Sequence, residues 1–253
     1  MRHNHVGKLK ERLLTNALFL CEKESFSGVE RESAFLFNDL SMNFHPDSFE
    51  NILKTEEYKK RLEKRHTQAN GFKELQSSNS SDALLMNFFA HPKIQTWKSL
   101  RDLLSIDESD SIEFGWCPSF PIETKNYRSE IDMKIGNVIF EAKLIEGGFT
   151  HKKLDVVLGY PNVENIIDLQ EFIKDDFVTN YQLIRNLLAA EKHGSKFYLL
   201  LDESRTDLIR EFYKVKFAIK DKSLAHRFNF VSWQELASNV GRNLRDYIIV
   251  KYF

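Results

Sequence analysis

The stretch "SEIDMKIGNVIFEAKL", residues 129–144, holds two alternating apolar–polar runs on either side of Gly136-Asn137. Such runs joined by a two-residue, glycine-containing turn predict a β-hairpin. In that register Ile135 faces Val138, Met133 faces Phe140 and Ile131 faces Ala142, giving one apolar face. On the other face Asp132 lies opposite Glu141, and Glu130 lies opposite Lys143. Directly opposed side chains have Cβ atoms about 5 Å apart, where like charges destabilise the pair. A solvated strand face favours opposite charges across the strands. Glu130 with Lys143 fits that pattern, and Asp132 with Glu141 does not.

Two carboxylates held this close suit a cation. Mg²⁺ takes oxygen ligands at about 2.1 Å, usually one or two carboxylates completed by water and phosphate oxygens. Lys143 follows Glu141 by two residues and therefore projects from the same face. An ammonium there can lower the pKa of a metal-bound water, orient it, or stabilise negative charge on an attacked phosphate. The hairpin thus reads as a phosphodiester-hydrolysis site.

Around it, the chain alternates helical and extended patterns. Residues 6–24 form an amphipathic helix by the spacing of Leu9, Leu13, Leu14, Ala17 and Leu18. Residues 29–43 and 47–66 are expected as two further helices, the second so rich in Lys and Glu that it reads as a solvated face, with a DNA-facing basic stripe over "YKKRLEKRH" (58–66) as the alternative. "QSSNSSD" (76–82) is the most linker-like segment and also supplies N-caps for the helix "DALLMNFFA". Another helix is expected over 93–104 and strands over 112–145, with variable sequence to about 170. A strong helix (177–192), the buried strand "KFYLLLD", a helix near 205–214, the strand "FNFVSW" and a last helix from Gln234 complete the order. Strands with intervening helices predict an α/β or α+β sheet covered on both faces.

Asp132, then eight residues, then Glu141-Ala142-Lys143 resembles the PD-(D/E)XK nuclease motif, with Ile131 in place of its Pro. Two more stretches resemble the restriction-endonuclease-like branch of that superfamily. "SSNSSDALLMNFFAHP" (77–92) is similar to its Ser-Ser-Gln-Ala…Asn-x-Phe helix, with Asp82 replacing the Gln. "NYQLIRNLLAA" (180–190) is similar to its Gln-Leu-x-Arg-Asn helix. The resemblance covers roughly residues 75–240 and implies an αβββαβ core with a mixed central sheet flanked by helices. It places an N-terminal helical region at 1–74 and a nuclease-like domain at 75–253.

The same resemblance implies that Asp132 and Glu141 bind Mg²⁺, for which Mn²⁺ substitutes, with the Ala142 carbonyl as an extra ligand. Lys143 would act on the attacking water and Gln182 would sit beside the active centre. Gln182, Arg185 and Asn186 form one polar stripe at i, i+3, i+4, either an exposed helix side or a site-lining one with Arg185 on a phosphate. Asn87 is either a helix-packing amide or a substrate-lining one. The acid that this family often carries on its first core helix would be Asp82 or Glu74; Glu113 is a weaker candidate. Glu130 is expected either to pair with Lys143 or to hold a second metal. The implied activity is a Mg²⁺-dependent DNA endonuclease of the restriction or defence type. A non-catalytic DNA-binding or assembly protein on the same fold is the alternative. Cutting both strands calls for two active sites, which a homodimer would present.

Composition bounds the rest. The chain has 253 residues, 42% hydrophobic and 13% aromatic, enough for a substantial core. A formal net charge of −1 excludes a strongly basic histone-like binder but not clustered cations. Cys21 and Cys117 fit free thiols, and no apolar run approaches a membrane span, so a soluble cytoplasmic protein is expected. "HPD" (45–47) resembles the loop of J-domain cochaperones but lacks a preceding basic helix. His3, His5 and His66 read as solvated, and Trp97, Trp116 and Trp233 as core packing.

Overall fold

A computed structural model describes residues 5–65, 71–123 and 129–253. Its centre is a five-stranded sheet whose spatial order is the order of the chain: β1 (Ile112–Trp116), β2 (Ile131–Ile135), β3 (Val138–Ala142), β4 (Lys196–Leu201) and β5 (Phe228–Ser232). The first three strands form an antiparallel meander, and β3, β4 and β5 run parallel. Eight helices are labelled here: α1 (His5–Glu24), α2 (Pro46–Lys54), α3 (Glu56–Leu62), α4 (Ser81–Phe89), α5 (Lys98–Leu104), α6 (Tyr181–His193), α7 (Thr206–Ala218) and α8 (Arg242–Tyr252). A parallel neighbour needs a crossover, and α6 and α7 supply the two. This is the mixed, helix-flanked sheet that the resemblance implies, preceded by an N-terminal extension of helices and one hairpin.

The hairpin forms as its alternation predicts, with Ile135–Val138, Lys134–Ile139 and Met133–Phe140 paired across the turn. The left-handed φ falls on Gly136 (+51°), where any Cβ would sit 2.4 Å from the Asp110 carboxyl. All five residues of β3 are buried, whereas β2 alternates between buried and half-buried. The expected single apolar face divides at its open end. Met133, Ile135, Phe140 and Ala142 pack with α1, α4 and Trp233, but Ile131 joins the opposite cluster with Leu183 and Leu187 of α6. Regular pairing with β3 ends at Met133–Phe140, one residue short of Asp132.

Four local expectations are corrected. Residues 29–43 are not a helix: Gly28–Arg31 and Ala34–Phe37 pair as a hairpin, followed by a 3₁₀ turn at Leu40–Asn43. A four-residue apolar run such as "AFLF" cannot be assigned to helix or strand by periodicity; here every one of its residues is buried, with Phe35 and Phe37 packed near Ala17 of α1. Residues 47–66 break into α2 and α3 at Thr55, which is extended. The 76–82 segment is no linker, because Ser77, Ser78 and Ser80 are buried and Ser78 N–H donates to the Phe35 carbonyl at 2.8 Å. Its expected N-cap does form, Ser80 Oγ accepting from Ala83 N–H. The helix expected from 177 starts at Tyr181, after Asn180 in a left-handed conformation.

Candidate active site

Glu141, at the end of β3, is 1% exposed and has both carboxylate oxygens occupied. Gln182 Nε2 donates to Oε1, and Asn186 Nδ2 donates to Oε2 at 2.9 Å. Lys143 Nζ lies 3.1 Å from Oε1, and Arg185 lies 3.9 Å from Oε2. A buried carboxylate costs several kcal/mol unless it is bonded and charge-compensated. The polar stripe of α6 meets that need. It is therefore turned inward, not exposed: Asn186 is fully buried and Arg185 is 8% exposed.

Asp132 shares this end of the sheet. Its Oδ2 accepts the Ala142 N–H at 2.7 Å, replacing the backbone ladder that ends one residue earlier. Burial, then the Glu141 and Asp82 carboxylates, push its carboxyl well above the usual range, against the pull of Lys143 and the Ala142 N–H. Burial works against the charged form of Lys143 as well. Glu141, Glu146 and Asp132 overcome it and raise the ammonium's pKa, so Lys143 is protonated at neutral pH. Trp233 Nε1 fixes the strand by donating to the Lys143 carbonyl at 2.9 Å.

Asp82, at the start of α4, completes the acidic group. It is 5% exposed and accepts from Arg61 at 3.0 Å and Lys64 at 2.6 Å. Burial opposes its charged form, and these two cations hold it below the usual carboxylate range. The stretch containing Arg61 and Lys64 reads in sequence as a solvated helix, and its contacts with Asp82 carry no local signal. Glu130 departs from the expected pairing: its carboxylate accepts from Arg61 at 2.6 Å, while Lys143 turns to Glu141.

Several expected roles are not supported by position. Asn87 is 0% exposed, accepts the His45 N–H and donates to the Asn43 and Ala83 carbonyls; it packs α4 against the N-terminal region and cannot reach a substrate. Arg185 donates to the Glu130 carbonyl at 2.9 Å and to Asn186, so it braces strand and helix and does not face a phosphate. Asn186 positions Glu141. Glu113 stands opposite Lys134, two pairs nearer the turn than Asp132. Glu74 opens a 3₁₀ turn, its N–H donating to the Lys64 carbonyl, while Asp82 carries the charge nearer to Asp132.

Among the described residues, one group of three ligand-type side chains has its atoms within 4.8 Å of one another: His45, Asp47 and His91. His45 caps α2, and the Nδ1 of each ring accepts a backbone N–H, from Asp47 and from Lys93. That leaves the ring protons on Nε2, with His91 Nε2 aimed at Asp47 Oδ2, 3.5 Å away. A metal-ligating histidine instead donates its second nitrogen to an acceptor, so these rings cap and pack. The J-domain-like tripeptide is a helix start. His3 and His66 lie outside the described residues.

The Asp132–Glu141 end offers a chemically better fit for a hard cation: two carboxylates at one end of the hairpin, one with its pKa raised by burial and by the neighbouring acids. Beside them the Gln182 Oε1 is buried with no hydrogen-bond partner among the described residues, an acceptor for the water that Mg²⁺ keeps. Residues 20–253 match the model of a family, REase-ARP, described as Restriction Endonuclease associating with ARP. The chain belongs to the REase-ARP family. No curated protein and no solved structure matches it. Membership makes this REase-ARP chain a restriction-endonuclease-like protein, in a class of nucleases that typically depend on divalent metals. No helix among the described residues is long and apolar enough to cross a membrane.

Proposed function

We propose that the chain is a Mg²⁺-dependent DNA endonuclease of the restriction or defence type. The observation that carries this reading is the placement of Asp132, Glu141 and Lys143 at one end of one hairpin, in a chain of a restriction-endonuclease family. Asp132 and Glu141, with the Ala142 carbonyl, would hold the ion. Bound there, Mg²⁺ supplies an activated water and Lewis-acid charge at the phosphodiester.

The chain's own residues do the rest. Gln182 and Asn186 hold Glu141 in one orientation. Lys143 remains an ammonium, placed to orient the attacking water and to offset the charge that grows on the phosphate oxygens. Ala142 N–H holds one Asp132 oxygen and so fixes that carboxylate.

The test is plasmid DNA incubated with the purified chain. Cleavage is expected with Mg²⁺ or Mn²⁺ and is expected to vanish with EDTA and with Asp132→Ala. Cutting that survives Asp132→Ala removes the mechanism. A chain that cuts neither DNA nor RNA under any of these conditions favours a non-catalytic DNA-binding protein on the same fold.

A further inference from the structure

Cations from the N-terminal helical region end among the acids of the hairpin. Arg61, in the last turn of α3, donates from one guanidinium nitrogen to Glu130 at 2.6 Å and from the other to both Asp82 oxygens at 3.0 and 3.1 Å. The sheet makes room for it at Gly115. That residue lies in β1 between the Phe114–Met133 and Trp116–Ile131 pairs, hence abreast of Asp132. It has a φ of +71°, and a Cβ there would lie 2.6 Å from an Arg61 nitrogen.

Lys64, just past the end of α3, is seated differently. Its Nζ donates to Asp82 at 2.6 Å, yet its side chain is 46% exposed, against 11% for Arg61. Arg61 is committed to two carboxylates, whereas an ammonium has three donors and Lys64 directs one of them at Asp82. Asp82, bonded by both cations, works as their anchor and not as a free metal ligand. Its two partners also offset carboxylate charge that would otherwise repel a DNA backbone.

We propose that Lys64, seated on Asp82 with Arg61 behind it, is a substrate-phosphate ligand at the edge of the candidate active site. This inference rests on the nuclease reading and adds to it: the N-terminal helices contribute to DNA binding at the site itself. A lysine serves a phosphate as a compact point charge, and such contacts position the duplex without reading its sequence.

The experiment measures binding of a short fluorescent DNA duplex to the full chain in Ca²⁺, by anisotropy at several salt concentrations. Lys64→Ala is expected to weaken binding several-fold and to shrink the slope of log Kd against log salt by about 0.9, the loss of one phosphate contact. Lys64→Arg keeps the slope. So does Lys59→Ala, which removes a charge from the same helix that is paired with Glu56. Thermal midpoints of all variants are recorded alongside, and the expected change in slope comes without a change in midpoint. An unchanged slope in Lys64→Ala, or an equal loss in Lys59→Ala, overturns the inference while leaving the nuclease reading intact. Tighter binding by Lys64→Ala also overturns it, since the ammonium would then be blocking the site. A wild-type chain that binds no DNA sinks both.

Discussion

Glu141 is the residue on which the site's geometry turns, because its amide donors come from α6, beyond the contact that Lys143 makes from its own hairpin. Each oxygen has an amide donor, and each donor comes from a helix more than forty positions further along the chain. Replacing Asn186 by Leu keeps the branched shape and removes both the donor to Oε2 and the acceptor of Arg185, leaving Arg185 at 3.9 Å as the remaining neighbour of that oxygen. A buried polar group stripped of its partner costs about 1–3 kcal/mol. Asn186→Leu is therefore expected to lower the unfolding free energy by about that amount in urea titrations. It should also raise the Mg²⁺ concentration needed for half-maximal cleavage, because a loosened carboxylate binds a cation less well. Asn87→Leu makes the comparison: it also strips buried partners, but at α2 and α4, and should cost stability without moving the Mg²⁺ requirement.

At the scale of elements, the hairpin and α6 were legible because their signals are local: strict alternation, a glycine turn, a long apolar helix. The inward sense of the α6 stripe was not legible, since whether a polar stripe faces water or a carboxylate depends on what the sheet presents to it. The place of Arg61 and Lys64 was hidden for the same reason, their partners Asp82 and Glu130 lying on other elements. The hairpin at 28–37 escaped because its apolar run is too short to show a period. One residue that did carry a signal is Gly115, a glycine inside an apolar strand, which marks a bulge or a close approach. Gly115→Ala forces a side chain to a φ of +71° and into Arg61, and is expected to cost about 1–3 kcal/mol. If the collision is a real part of that cost, the penalty measured by urea unfolding shrinks in an Arg61→Ala background. Equal penalties in the two backgrounds would mean that backbone strain explains it all.

Across the whole molecule, the N-terminal region and the last helix close on each other. Leu9 and Leu13 of α1 share a core cluster with Leu244, Ile248 and Tyr252 of α8. Lys251 of α8 is buried at the same seam, 2% exposed. Its ammonium lies 4.8 Å from the centre of the Phe37 ring and within 3.2 Å of the Tyr247 hydroxyl. Burial drives its pKa well below the ordinary lysine value, with Cys21 a small opposing influence. The sign follows from proton counting: the unfolded chain holds a proton on this lysine up to about pH 10.4, and the folded chain gives it up earlier. Below that pH the difference favours unfolding, and it fades as pH rises towards 10.4. Lys251→Met keeps the length of the side chain and abolishes the penalty. It is expected to stabilise the protein by about 1–4 kcal/mol at pH 7, the scale found when buried ionic groups give way to well-packed apolar side chains. The gap from wild type should narrow in guanidinium titrations as pH rises above the lowered folded-state pKa towards about 10.4. A gap that stays constant with pH would mean that packing, not the proton, accounts for it. A less stable Lys251→Met would mean that the contacts to Tyr247 and Phe37 outweigh the cost of burying the amine.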